Sequence, residues 1–308
     1  MNAMFLKLLR TGSPPVQAKE LAAALKVSPQ EVAAVMARLS GKGYLFQESA
    51  EGIRLIHSPD KPFPWEFPSR ESAIHYFEEI DSTMTEARRL ASSGAPDFTV
   101  VIAETQEKGR GRLERQWVSS LGGLYFTLLL RPDMGPEKSY LINFLSSLVL
   151  SQVLNALFQV DARVKWPNDI LIDEKKVSGM ISEMGMTGNH IDYVNLGIGL
   201  NVNNSPEEAC PHACSIRSIL GKPVSRVHLL TTFLNALEYR MHKEPVDHGI
   251  ISQWKENTIT LGRKVTVATV QDRFSGTALD VDDQGALLLE MPGGEVKRII
   301  YGDCFLGA

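Results

Sequence analysis

Cysteine is nearly absent from this chain: Cys210, Cys214 and Cys304 are the only three in 308 residues. Three thiols cannot build the disulfide framework of a small secreted domain. With no secretory leader ahead of the first helix, the expectation is a cytoplasmic protein with free thiols. Bulk charge is missing as well, since 32 Lys and Arg against 36 Asp and Glu leave a net charge of −4. Any contact with DNA must therefore come from a local patch. An unbroken apolar run of membrane length is also lacking. The most apolar helical stretch, Tyr140 to Phe158, is interrupted by Asn143, Ser146, Ser147, Ser151, Gln152 and Asn155, whereas a span needs about twenty predominantly apolar residues. It reads as a core helix packed under a sheet. Internal repeats and low-complexity tracts do not stand out. Cys210 and Cys214 flank His212, but without a second cluster at ligand spacing a surface loop is preferred to a zinc site.

What the chain does have is material for two or three domains, 44% of it hydrophobic. Three helices are expected first, at 3–11, 17–25 and 29–39, with Ser28 as N-cap of the third. A hairpin of 44–47 and 53–56 follows, turning at Ala50, Glu51 and Gly52. This is a winged helix-turn-helix pattern over residues 1–58. Its candidate DNA-reading surface lies in the helix-turn-helix from Gln17 to Leu39, with Gln30, Arg38 and Lys42 as contacts. Ala33, Ala34 and Ala37 make that surface thin; Arg54 and Lys26 add charge, while Glu31 and Glu51 oppose it. DNA binding and a domain kept for packing or dimer contacts both stand as readings. Pro59, Pro62, Pro64 and Pro68, interleaved with Phe63, Trp65 and Phe67, make 59–70 a semi-rigid linker. Residues 71–257 form a mixed α/β catalytic domain, and 258–308, with alternating β-type runs and turns, fit a small SH3-like barrel.

The most telling stretch is Gln106 to Trp117, QEKGRGRLERQW, which places Lys108, Arg110, Arg112 and Arg115 on a loop jointed by Gly109 and Gly111. Glycines permit positive φ and close approach to a ligand, and arginines fork onto carboxylate or phosphate oxygens. Alone, a basic run of this kind is more often a solvated loop. Here it joins two strand-like runs, 99–103 and 122–130, where ligand-binding loops tend to sit. Lys165, Trp166, Pro167, Asn168 and Asp169 precede another strand, 170–172. The turn at Asp173, Glu174 and Lys175 then leads into a second arm through Lys176, with Gly179 where a ligand or backbone comes close. Farther on, 194–203 reads VNLGIGLNVN, a strand broken by Gly197 and Gly199.

With these pieces in order, namely Asp81, Ser82 and Thr83, then Gln106 and its loop, then KWPND at 165–169, then Lys176, Gly179 and Glu183, then GIGLN at 197–201, the chain resembles the biotin protein ligases. It resembles specifically the bifunctional kind that also represses the biotin operon. The resemblance implies an α+β and α/β fold: an N-terminal winged helix-turn-helix, a central class II synthetase-like mixed-sheet catalytic domain and a C-terminal SH3-like β-barrel. It also implies an ATP-dependent reaction with Mg²⁺, in which biotin is joined to AMP with release of pyrophosphate and then passed to a lysine of a biotin carboxyl carrier protein. Operator DNA and a ligand-bound homodimer are implied as partners, with no membrane.

The resemblance assigns Lys176, Arg112 and Asp169 to catalysis. To biotin it assigns Ser82, Thr83, Gln106, Arg110, Arg112, Lys176 and Gly179. To the nucleotide it assigns Arg110, Arg112, Arg115, Trp117, Asn168, Lys176 and Asn201; metal ligands are not assigned. The chemistry fits these residue types, because carboxylate and phosphate repel until positive charge neutralises them. Each also has a plainer reading. Ser82 or Thr83 also suits a helix N-cap, since Thr83 to Glu86 has capping-box spacing. Trp117 also suits a core position at a strand start, and Asn201 a turn. Asp169 suits orienting the acceptor amine or holding the metal. One departure is Glu114, where the family loop commonly carries glycine; an acid there can pair with Arg112 or Arg115. The rival readings are a ligase for lipoate or octanoate and a non-catalytic biotin sensor.

Overall fold

The computed structural model describes residues 1–11, 15–113, 115–243, 246–247 and 249–307. Glu114, with its expected effect on the loop, lies outside the described residues. The chain divides into two compact units, Met1–Ile74 and His75–Ala308.

In the first unit, helices α1 (Asn2–Thr11), α2 (Ala18–Leu25) and α3 (Pro29–Ser40) precede an antiparallel hairpin of β1 (Leu45–Ser49) and β2 (Gly52–His57). Phe5, Leu6, Leu21, Val32, Val35 and Leu39 form its core. Ser28 caps α3 as its sequence suggests, and Glu31 completes a capping box: its carboxylate accepts from the Ser28 N–H at 2.8 Å. Glu31 is thereby turned back onto the helix end. Val16 N–H bonds to Ile53 C=O at 2.9 Å, tying the α1–α2 connection to the hairpin. Gly52 belongs to β2, not the turn, and a Cβ there would meet the Val16 backbone at 2.7 Å.

The proline-rich segment is folded into this same unit. Phe63 and Phe67 are buried, Trp65 stacks on Phe63 with centroids 4.7 Å apart, and Trp65 Nε1 donates to the Tyr44 hydroxyl at 2.9 Å. Tyr44 in turn donates to Glu66, which also forks onto Arg10 with both bonds at 2.9 Å. Aromatics that read as pins for a linker bind it to the preceding residues.

The second unit is built on seven strands in the order β3-β4-β5-β9-β8-β7-β6. They are β3 (Ile74–Ile80), β4 (Thr99–Gln106), β5 (Leu124–Leu130), β6 (Arg163–Lys165), β7 (Asp169–Ile172), β8 (Lys175–Thr187) and β9 (His190–Leu200). Neighbours from β4 to β6 run antiparallel. Between β3 and β4 the partners advance together, Thr105 Oγ1 to Glu78 C=O and Glu107 N–H to Ile80 C=O, so the sheet is mixed. The interior strand β5 is buried along its whole length, which is why its sequence shows no polar alternation.

Helices cover both faces. α4 (Thr83–Ser92) lies over β4, β5 and β9. On the other face α5 (Tyr140–Phe158) packs on β6 to β8, its Asn143 donating to Ser182 at 2.7 Å. The helical stretch Pro136–Phe158, which includes α5, is long and apolar enough for a membrane by length and composition, yet 67% of its most apolar 18 residues are buried within the protein. Two of its serines bond locally; Ser151 Oγ, for one, donates to Ala162 C=O at 2.7 Å, and Ser147 Oγ to Phe144 C=O at 3.0 Å. α6 (Ile216–Leu220), α7 (Arg226–Lys243) and α8 (Gly249–Glu256) follow, with α7 and α8 against α5.

The chain ends in a five-stranded antiparallel sheet, ordered β13-β12-β11-β10-β14. Its strands are β10 (Lys264–Ala268), β11 (Arg273–Val281), β12 (Leu287–Glu290), β13 (Val296–Ile299) and β14 (Asp303–Leu306). Val265, Val267, Ala278, Val281, Leu287 and Leu289 supply its buried side.

Candidate active site

The arginine loop leaves the end of β4 and returns as a tight hairpin, bridged at Gln106–Ser119 and Arg110–Gln116. Its glycines are there for room, and neither takes positive φ. A Cβ on Gly109 would lie 2.3 Å from the Trp117 carbonyl, and Gly109 C=O accepts from Trp117 N–H at 2.9 Å. The loop closes one side of a cavity of about 810 Å³, within the range of roughly 300–1,000 Å³ typical of ligand sites. Ser82, Thr83, Gln106, Arg110, Arg112 and Arg115 line it, as do Trp117, Asn168, Asp169, Lys176, Gly179 and Asn201. Every residue assigned to biotin, nucleotide or catalysis therefore faces one space.

At its centre Lys176 Nζ lies 2.6 Å from Asp169 Oδ1, while Lys165 Nζ lies 3.1 Å from Asp169 Oδ2. Both follow from strand geometry: β7 and β8 pair Asp169 with Gly179 and Leu171 with Lys176, and Lys165 faces Asp169 in the β6–β7 register. Burial works against ionisation of Asp169, but the two ammonium groups outweigh it and hold its carboxyl below the usual range. Arg112 is half-buried, and burial lowers its pKa from the ordinary arginine value. Its Nη1 donates to Asn168 Oδ1 at 3.1 Å, and Asn168 Nδ2 is anchored on the Met180 carbonyl.

The expected capping box at Thr83 to Glu86 does not form. Ser82 occupies the N-cap position of α4 but makes no capping bond, and Glu86 pairs with Arg89 at 2.6 Å. The cap comes from another strand: Gln106 Oε1 accepts from Thr83 N–H at 2.9 Å and Thr83 Oγ1 at 3.1 Å. Gln106 Nε2 then donates to Ser119 at 2.9 Å, and Thr127 donates to Thr83 Oγ1 at 2.9 Å. The capping task thus passes to Gln106, and Ser82 Oγ is buried with no hydrogen-bond partner among the described residues. A buried hydroxyl without a partner is costly unless a ligand completes it.

Trp117 lies across the sheet where Gly179 and Gly199 are paired. A Cβ on Gly199 would meet its indole at 2.3 Å, and one on Gly179 would meet both the indole and Lys176 at 3.0 Å. Gly179 is therefore approached closely by the chain's own Trp117 and Lys176 side chains while it lines the cavity. Lys176 Nζ sits 5.3 Å from the Trp117 ring centroid, a cation–π distance.

The outer arginines face acids. Arg115 pairs with Asp303 of β14 at 2.7 Å and stands over Phe305. Arg110 reaches Glu183 at 3.7 Å and Thr85 at 3.5 Å, and Glu183 also holds Arg88. Asn201 is buried, accepting from Asn204 at 3.0 Å. Sequence reading gave Lys165 and Asp303 no role. The spacing of Lys165 and Asp169 carried a signal, whereas nothing local links Asp303 to the loop.

Among the described residues no three His, Cys, Asp or Glu side chains cluster to hold a metal, and both oxygens of Asp169 are on lysines. Cys210 is exposed; Cys214 and Cys304 are buried, and burial pushes their thiols up to about 11. In the first unit the DNA candidates separate. Gln30 is exposed, Arg38 donates to Asn2 at 2.5 Å, and Lys42 stands 5.7 Å from the Phe63 ring centroid.

A mixed sheet whose arginine loop, lysine pair and tryptophan surround one cavity defines an enzyme that handles anionic, nucleotide-sized ligands. Residues 76–201 match the Biotin/lipoate A/B protein ligase family, and residues 260–307 match the Biotin protein ligase C terminal domain. The Bacillus spizizenii protein named Bifunctional ligase/repressor BirA is 32% identical over 97% of this chain and 96% of its own length. The Biotin--[acetyl-CoA-carboxylase] ligase of Paracoccus denitrificans is 31% identical over 74% of this chain and 98% of its own. Among solved structures, the biotin protein ligase of Aquifex aeolicus in complex with biotin and ATP aligns with a TM-score of 0.63 at 29% identity, covering 76% of this chain and 98% of that one. The chain belongs to the biotin protein ligase family.

Proposed function

We propose that this protein activates biotin with ATP as biotinyl-5′-AMP, releasing pyrophosphate, and transfers the biotinyl group to one lysine of a biotin carboxyl carrier protein in the cytoplasm. The observation that carries the reading is the convergence of Lys176, Asp169, Arg112 and Trp117 with the unpartnered Ser82 hydroxyl in one cavity.

The ureido end of biotin meets Ser82, whose hydroxyl is free to bond, with Thr83 and Gln106 beside it. The carboxylate end lies toward Lys176 and Arg112. ATP would come as its Mg²⁺ complex, the metal supplying positive charge to the phosphates. Attack of the biotin carboxylate on the α-phosphate brings two anions together, and Lys176 and Arg112 stabilise the charge that builds there. Trp117 offers its face to the adenine. Arg115 and Arg110 join the phosphates by exchanging Asp303 and Glu183 for the nucleotide. In the second step the acceptor amine must lose a proton to attack the mixed anhydride; Asp169 orients it once Lys176 has turned to the adenylate.

The first unit serves a second role in the same reading. Its three helices and hairpin act as a winged helix-turn-helix on operator DNA, with Gln30 and Arg54 exposed for contact and Arg38 leaving Asn2 to join them. A ligand-driven homodimer belongs with this, and the C-terminal sheet would be the SH3-like barrel of the family.

The test is to follow pyrophosphate release and the mass of a carrier domain in the presence of Mg-ATP and biotin, lipoate or octanoate. Biotin-dependent pyrophosphate and a biotin-sized mass gain are expected. Turnover with octanoate or lipoate instead would reassign the substrate, and no turnover with any acid would leave a biotin sensor.

A further inference from the structure

The turn that carries Asn168 and Asp169 is held from behind by the C-terminal part of the chain. Trp166, inside that turn, is fully buried, so it cannot touch a substrate. Its N–H donates to Thr260 Oγ1 at 2.9 Å, and its Nε1 donates to the Gly285 carbonyl at 3.0 Å. Thr260 is itself fully buried. It ends a segment zipped along β6, where Val164 N–H bonds to Asn257 C=O at 3.1 Å and Ile259 N–H to Val164 C=O at 2.9 Å.

Gly285 closes the turn between β11 and β12, and that turn is pinned in place. Tyr140 donates to the Asp283 carbonyl at 2.5 Å, and Asp282 Oδ1 accepts from the N–H groups of Gln284 and Ala286, both at 2.9 Å. Gly285 has φ +78°, and a Cβ on it would meet Phe144 at 2.9 Å and Tyr140 at 3.1 Å. Any side chain there pushes the turn off α5 and carries its carbonyl away from Trp166. On the front of the same five residues, Asn168 holds Arg112 and Asp169 holds Lys165 and Lys176.

We propose that Thr260 and Gly285 are positioning residues of the ligase site, acting through Trp166 to fix where Lys176 and Arg112 meet the reacting anions. This rests on the ligase reading above. Displacing a catalytic group by about 1 Å can cost on the order of a hundredfold in rate, so two hydrogen bonds behind the turn, one buried and one partly buried, have leverage on the chemistry. The biotin ring contacts sit on α4 and β4, elements that this anchor does not hold.

The test compares Thr260→Val, which keeps the shape and deletes the hydroxyl, with Thr260→Ser, which restores it, and with Gly285→Ala as a second route to the same turn. Adenylate formation is followed by pyrophosphate release, and unfolding by heat. Thr260→Val and Gly285→Ala should lower kcat by about tenfold with KM for biotin within about twofold of wild type, as happens when an interaction made only in the transition state is weakened. Thr260→Ser should recover most of the rate. Combined with Lys176→Ala, Thr260→Val should add less than its own factor, since both act on the same anion. Wild-type kcat in both variants, a rate loss that disappears on cooling along with a lowered Tm, or fully multiplicative effects would each overturn the proposal. An inactive wild-type protein would instead overturn the ligase reading.

Discussion

Lys176 is the residue on which most of the site's electrostatics turns. Its ammonium is shared between the Asp169 carboxylate at 2.6 Å and the face of Trp117. Lys165 also holds Asp169, at 3.1 Å, so the buried carboxylate keeps one ammonium partner when Lys176 is removed. Lys176→Ala should therefore leave a folded protein whose adenylation rate falls about a hundredfold or more, the scale of losing one oriented charge donor. A rate within about threefold of wild type, measured by pyrophosphate release, would remove this lysine from the mechanism.

Across neighbouring strands, the Gly179–Gly199 pair makes the bed on which Trp117 lies. From sequence Gly199 reads as a break in its strand and Gly179 as a point of close approach by a ligand or backbone. Here the gap is filled by an indole from the arginine loop, so the strand glycines and the loop tryptophan are one device. Gly199→Ala puts a methyl where the indole now sits, 2.3 Å from it. The expected result is a shifted tryptophan fluorescence and a KM for ATP raised about tenfold, in keeping with the loss of a base–aromatic stack. Unchanged KM with a displaced indole would show that Trp117 does not receive the adenine.

For the whole molecule, the division at Ile74 separates the residues around the cavity from the helix-turn-helix candidates. Every residue placed around the cavity lies in His75–Ala308, and the helix-turn-helix candidates lie in Met1–Ile74. A fragment of residues 75–308 should keep an adenylation rate close to that of the full chain and lose retention of operator DNA in a gel-shift assay. A folded fragment without ligase activity would mean that the first unit contributes to the chemistry. Full retention of DNA would place the binding surface in the second unit.

Sequence alone determined what depends on neighbours along the chain. Ser28 and Glu31, three residues apart, specified a helix start and formed the capping box. The polar interruptions in 140–158 argued against a membrane helix, and α5 spans those residues as a core helix. The order of loop, KWPND and lysine–glycine pair pointed to the residues that share the cavity. Tertiary structure decided the partners. Gln106, distant in sequence from α4, took the capping oxygen's place that Ser82 or Thr83 was expected to fill. Arg115 found Asp303, and Trp166 found Thr260 and Gly285. Residue spacing encodes helix and strand periodicity and local caps. Hydrogen bonds and ion pairs are made within about 3 Å, and which distant side chains come that close is settled only when the sheets and helices pack.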